Sequence, residues 1–274
     1  MNKEVGILIG NCRTWEAIEL TIESILKRTA YKSYKIIIYD QSRETDDGSR
    51  LPYLWMQAER GNITLIEGAY RQRSDLDGHG KSIKVLLDHC DTDLAMLWDS
   101  DIEALHPDWL GVLINGLRGD NILGIGNCNP GLNHWDRMWI APRYVPNWML
   151  LDMNIYRHFQ GDDDWNLDFI PFSEWKHPGV FEGQRPPNNP ELLNGEIRVF
   201  RDTGWRIWEK LAFENSQGLK MLPLPTGWWG DKMRHFCGID RNSFQPDLPE
   251  LLEKRKAIRD RLAFLRKGTE CFQS

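Results

Sequence analysis

Apolar and polar positions along the first hundred residues follow two periods in alternation. Val5-Gly6-Ile7-Leu8-Ile9 is an apolar run of strand length. It gives way to a segment in which Ile18, Ile22, Ile25 and Leu26 fall on one helical face, with Thr14 placed to cap it. Tyr34 to Tyr39 reads as a second strand with Asp40 at its carboxyl end, and Ile63-Thr64-Leu65-Ile66 as a third. Gly80 opens a short helix carrying Ile83, Leu86 and Leu87, and the chain then returns to strand through Leu94-Ala95-Met96-Leu97-Trp98. Strands alternating with helices predict an α/β fold with a largely parallel sheet and right-handed crossovers.

The Leu94–Trp98 run stops abruptly at Asp99-Ser100-Asp101. Open α/β sheets place their ligands at the carboxyl ends of strands. An extended turn lets both carboxylates approach one point. Two like charges held that close repel unless a cation lies between them, and hard oxygen donors favour Mg²⁺ or Mn²⁺. The competing reading is an acidic turn that caps the segment starting at Pro107, and a lone D-x-D favours that reading.

The second half is patterned differently. From Asn127 to Asn194 the chain is rich in Trp, Pro, Asn and Asp, and includes Gly161-Asp162-Asp163-Asp164-Trp165 and Arg185-Pro186-Pro187-Asn188-Asn189-Pro190. This stretch is expected to be irregular, either an acceptor-binding segment or a solvated insertion. Glu196 to Phe200 reads as a strand and Trp205–Phe213 as a helix. A capping-box pattern, Asp247-Leu248-Pro249-Glu250, opens a C-terminal helix with Leu251, Ile258, Leu262 and Leu265 on one side. Its other side carries Lys254, Arg255, Lys256, Arg259, Arg261, Arg266 and Lys267. Such a face can meet a membrane surface or a polyanion, but a solvated face is the favoured reading.

Composition narrows the field without choosing within it. The 274 residues are 41% hydrophobic and 27% charged, as in a soluble globular protein. A net charge of −6 argues against broad, non-specific nucleic-acid binding. No apolar run approaches the ~18 residues of a membrane span, and the amino-terminal residues lack a signal-peptide core. The five cysteines (Cys12, Cys90, Cys128, Cys237 and Cys271) are scattered, without metal-ligand spacing, and read as reduced thiols. A cytoplasmic protein is expected. The 13 Trp residues offer flat faces to sugars or bases as well as core packing.

Taken in order, these pieces resemble a family 2 glycosyltransferase of the GT-A fold. Val5 to Ser49 is similar to that family's first segment: a strand, a turn, the helix segment Thr21-Ile22-Glu23-Ser24-Ile25-Leu26, a strand ending in Asp40, and the polar loop Ser42 to Ser49. Asn62 to Asp108 is similar to the next segment, in which a Gly-bearing loop and a short helix lead to the D-x-D strand, and a Pro-Asp-Trp-Leu element follows at Pro107 to Leu110. The family often has Pro after its first strand, where this chain has Gly10-Asn11. The resemblance implies that Asp40 contacts the base or ribose of a nucleotide sugar. Asp99 would hold the ribose or the metal's water shell, and Asp101 would ligate a divalent metal. Arg71, Arg73 and Lys81 precede the D-x-D strand and can add phosphate contacts, with ordinary surface charge as the alternative.

Gly227-Trp228-Trp229-Gly230-Asp231 resembles the acceptor-side turn of GT-A enzymes, with Gly230 where a Glu would stand and Asp231 matching the acid that follows. The resemblance makes Asp231 the preferred general base, with Asp162, Asp163, Asp164, Asp202 and Glu214 as other acids that could supply it. Met233-Arg234-His235 is similar to a Met-x-Arg-His segment of the galactosyltransferase-like branch, and implies that His235 completes the metal site. A helical stretch here would put Asp231 and His235 on one face.

The sequence therefore predicts one GT-A domain over residues 1–274. Residues 1–125 would form the nucleotide-sugar half, 126–245 an irregular acceptor half and 246–274 a helical tail. The expected activity is metal-dependent transfer of a sugar, with a UDP-linked donor favoured, to a hydroxyl acceptor with inversion. The acceptor is open among glycan, protein, metabolite and modified nucleic acid. The alternatives are a nucleotidyltransferase of related fold and a non-catalytic carbohydrate- or nucleotide-binding protein.

Overall fold

A computed structural model describes residues 3–12, 14, 16–42, 52–68, 78–129, 133–135, 138–140, 143–160, 173–175, 199–201, 204–213, 215, 218–236 and 249–267. In chain order the elements begin with β1 (Val5–Asn11), α1 (Glu16–Arg28), β2 (Tyr34–Asp40), α2 (Pro52–Glu59), β3 (Thr64–Glu67), α3 (Gly78–Asp88), β4 (Leu94–Asp99) and β5 (Ile102–Ala104). They continue with α4 (Trp109–Gly116), β6 (Ile122–Asn129), β7 (Asn133–Trp135), β8 (Met138–Ile140), β9 (Arg143–Asp152), α5 (Met153–Gln160), β10 (Ser173–Trp175) and β11 (Val199–Arg201). The last elements are α6 (Trp205–Phe213), β12 (Lys220–Leu222), α7 (Trp228–Asp231), β13 (Met233–His235) and α8 (Pro249–Arg266).

Among the described residues the central sheet has seven strands in the order β12-β6-β9-β4-β1-β2-β3. β9 runs antiparallel to both its neighbours, and the other strands share one direction. Alternation along each strand supplies two cores. Val5, Ile7 and Ile9 of β1 join Met96 and Trp98 of β4 beneath Ile18, Ile22 and Ile25 of α1. Leu8 and Leu97 face the other way, against Ile83, Leu86 and Leu87 of α3. Because both faces are covered, β4 is apolar at every position up to Asp99. The α/β class and the mostly parallel sheet expected of a GT-A fold are both present.

Two expectations are corrected. The region read as irregular contains β9, a ten-residue strand at the centre of the sheet, followed directly by α5. Pro146 hid it, because a proline argues against an interior strand. Its missing N–H costs no ladder bond: the β4 pairing reaches only to Trp148, and the β6 register shifts between Ile125 and Asn127. A bulge there absorbs the proline. The second correction concerns α8, whose basic side is not simply solvated. Leu251, Ile258, Leu262 and Leu265 pack on Ala17 and Leu20 of α1. Around that apolar seam Arg259 meets Glu16 at 3.4 Å, Arg266 meets Glu19 at 2.7 Å and Arg261 meets Glu103 at 2.7 Å.

Candidate metal centre

β4 delivers Asp99 to the carboxyl edge of the sheet, and the turn Ser100-Asp101 passes directly into β5. β13 lies antiparallel against β5, with His235 opposite Ile102 and Met233 opposite Ala104. Ile102, Ala104 and Met233 are fully buried and seat this two-stranded ribbon in the core. Backbone bonds close both its ends: Leu105 N–H donates to the Lys232 carbonyl at 2.8 Å, and Phe236 N–H to the Asp101 carbonyl at 3.0 Å.

The ribbon brings an imidazole to the two carboxylates. His235 Nε2 lies 2.9 Å from Asp101 Oδ1 and 3.5 Å from Asp99 Oδ2. One donor atom from each of the three residues falls within 4.8 Å of the others. The edge of Trp148, from β9, sets the His235 ring, with centroids 5.3 Å apart at 76°. Side chains of Asp101 and His235 are each 7% exposed and that of Asp99 is 23%, so the group opens to solvent on the Asp99 side. Ligands about 2.1 Å from a small divalent cation stand about 3.0 Å apart when adjacent and about 4.2 Å when opposite. The 2.9 and 3.5 Å spacings lie near the adjacent-ligand end of that range, and two oxygens with one imidazole nitrogen suit a first-row ion such as Mn²⁺.

The sequence-predicted residues are placed as follows. Asp40 ends β2, and its Oδ1 accepts from Asn11 Nδ2 at 2.8 Å and from Ser42 N–H at 3.1 Å. Burial pushes its carboxyl above the usual range, and these bonds pull against that shift. Parallel register sets Asn11 beside Asp40 and Gly10 beside Asp99, so β1 separates the two carboxylates by two strand spacings, about 10 Å. Lys81 is exposed on α3. Arg71 and Arg73 lie outside the described residues, as do the other candidate acids Asp162, Asp163, Asp164, Asp202 and Glu214. A shallow pocket beside Asp99 is lined by Gly10, His79, Ser82, Leu86, Leu97 and Pro146. Asp231 ends α7 and is exposed, and His235 lies in a strand, so no helical face joins them. Asp231 is not a member of the three-ligand group.

Two contributors escaped the sequence reading. Trp148 had no signal, because its strand was masked by composition. Glu103 stands in the alternating run Asp99-x-Asp101-x-Glu103, which could have marked it.

No protein-family model matches the chain, and no curated protein does. Among solved structures it is similar to the mannosyltransferase PcManGT from Pyrobaculum calidifontis in complex with GDP-Man and Mn²⁺, at 13% identity and a TM-score of 0.43, covering 58% of this chain and 47% of that one. It is similar to GalNAc-T7 with UDP, GalNAc and Mn²⁺ at 12% identity and 0.43, covering 73% and 42%. It is also similar to S. aureus TarS at 13% identity and 0.41, covering 73% and 36%. The chain thus spans less than half the length of each of these three.

Proposed function

We propose that the protein is a metal-dependent glycosyltransferase that moves a sugar from a nucleotide donor to a hydroxyl acceptor. The observation that carries this reading is the convergence of Asp99, Asp101 and His235 at the carboxyl edge of the sheet, with His235 supplied by a dedicated ribbon. An acidic turn that merely caps a helix has no use for a buried imidazole 2.9 Å from its carboxylate.

Asp101 and His235 hold the divalent ion, and Asp99 completes the set from its more open side. The bound ion supplies charge neutralisation to a departing diphosphate. Asp40, two strands away, accepts hydrogen bonds from the base or ribose, and Arg73 and Lys81 meet the phosphates. Asp231 takes the acceptor proton as the acceptor oxygen bonds the anomeric carbon. The bond from that carbon to the phosphate oxygen breaks, its electron pair leaves with the diphosphate, and a single displacement of this kind inverts configuration. A UDP-linked sugar is the first donor to test.

Thermal unfolding against a panel of nucleoside diphosphates, each with and without Mn²⁺, tests the donor half. The expected result is a rise in midpoint for one nucleotide that requires Mn²⁺ and vanishes in Asp101→Asn. No rise for any nucleotide, with or without the ion, would sink the reading.

A further inference from the structure

Against the β5/β13 ribbon lies a polar assembly that supplies no ligand to the metal centre. Glu103 is fully buried. Its carboxylate meets Arg28 of α1 at 3.1 Å and Arg261 of α8 at 2.7 Å, and Arg234, its cross-strand neighbour, lies 3.9 Å away. Arg261 engages both oxygens, with Nε at 3.1 and 3.3 Å and Nη2 at 2.7 Å. An unpaired charge at such a site is strongly unfavourable, so the four elements that supply these groups (β5, α1, α8 and β13) are constrained together.

α1 adds a stripe of buried polar side chains at helical spacing, and each one holds the backbone of the acidic turn or the strand after it. Thr21 Oγ1 donates to the Ser100 carbonyl at 3.0 Å. Ser24 Oγ accepts from Ala104 N–H at 2.9 Å. Arg28 Nη1 donates to the Ala104 carbonyl at 3.0 Å. The rest of that helix face is apolar, and buried polar groups are tolerated only when paired. Phe236, the residue after His235, packs on the seam between α1 and α8.

We propose that Glu103 and Arg261 are positioning residues for the metal centre, and that docking of α8 onto α1 sets the register of the β5/β13 ribbon and hence the approach of His235 to Asp101. This rests on reading Asp99, Asp101 and His235 as metal ligands. Arg261 reaches Glu103 only when α8 is seated, and Glu103 lies two residues from Asp101 and opposite Arg234, the residue before His235. The C-terminal helix is then part of the apparatus that shapes the site, although it supplies no ligand to it.

The test uses the full chain and Mn²⁺ alone, titrated by electron paramagnetic resonance of the free ion, with amide exchange measured in the metal-free protein. Arg261→Gln is expected to weaken Mn²⁺ binding about tenfold and to speed exchange at the amides of Ala104 and Phe236. Arg259→Ala and Arg266→Ala remove ion pairs from the same helix without touching the ribbon, and are expected to leave Mn²⁺ affinity within about twofold of wild type. Thr21→Val, which keeps the shape and removes the bond to Ser100, gives a second reading if Arg261→Gln does not fold, and is expected to shift affinity in the same direction. Wild-type affinity in whichever of these two variants folds overturns the proposal. Equal losses in Arg259→Ala and Arg266→Ala overturn it as well, since general loosening of α8 would then suffice. A wild-type protein that binds no Mn²⁺ overturns the metal site itself and this proposal with it.

Discussion

At the β1/β2 end of the sheet Asp40 is held by neutral partners, Asn11 and Ser42, that lie one strand over or two residues on. At the β4 end Asp101 is held by His235, brought from the far part of the chain by a ribbon that Glu103, Arg28 and Arg261 anchor. Both carboxylates sit at strand ends, yet they place different demands on the fold. The first region needs no cation of its own: its hydrogen-bond donors are neutral, and burial together with the Glu67 carboxylate beside it favours the protonated form. The second carries two carboxylates around one imidazole and is balanced only by further positive charge. It therefore needs both an anchor and a cation, and the fully buried Glu103 carboxylate, paired with Arg28 and Arg261, stands two residues along the same ribbon.

The largest effect is expected at the anchor. Glu103→Leu leaves Arg28, 3% exposed, with an uncompensated buried charge, and should cost about 3–5 kcal/mol in urea unfolding. A loss under about 1 kcal/mol, the usual size for an exposed pair, would place this network on the same footing as the surface ion pairs of α8.

Next comes the centre itself. Asp101→Asn should cut turnover by about 10²-fold or more. The metal-free protein should keep or slightly raise its unfolding midpoint, because one of two crowded carboxylates has gone. An activity loss that merely tracks a fall in midpoint would remove the contrast between the two regions.

These two sites also divide what the sequence disclosed from what it withheld. β1 to β4, α1 and α3 were legible because alternation and helical spacing extend over whole elements, and Asp99 and Asp101 because an apolar strand ends on them. β5 and β13 are three residues each, too short to carry a period. The approach of His235 depends on their pairing, a long-range contact that only resemblance could suggest. Glu103 continues the alternation of Asp99 and Asp101, which could have marked it, but its place between Ile102 and Ala104 normally points a charge outward, so its burial was not legible. Arg261 looked like one more basic residue on a polar face, and nothing local says that its neighbour would be a buried carboxylate. Pro146 concealed β9 because the register shift that excuses it arises only in the pairing with β6, a long-range contact.

Gly227 carries a smaller effect on the metal side. It precedes α7 with φ +75°, and a Cβ built there would lie 3.0 Å from Asp231 Oδ2. Left-handed backbone costs a residue with a Cβ roughly 1–2 kcal/mol. Gly227→Ala should therefore lower the unfolding midpoint modestly and disturb the turn leading into β13. Turnover should fall more than nucleotide affinity, since the acceptor side is the part that shifts. Equal losses in both would mean that the strain spreads through the ribbon to the metal centre.

The smallest stability effect is expected at Asp40, and its sign separates the two regions most cleanly. Burial is the main reason its carboxyl sits above the ordinary value, so the folded protein favours the protonated form. That contribution is fully present below the unfolded value of about 3.9 and is lost as pH rises through the folded one. Asp40→Asn keeps an oxygen to accept from Asn11 and Ser42 and removes the charge. At neutral pH it should unfold within about 0.5 kcal/mol of wild type, on the stabilising side. The difference should vanish at acid pH, while nucleotide binding weakens. Denaturation curves of the two proteins across pH 3 to 8 decide it: a variant less stable at neutral pH would mean that the Asp40 charge is needed by the fold, as the charge of Glu103 is.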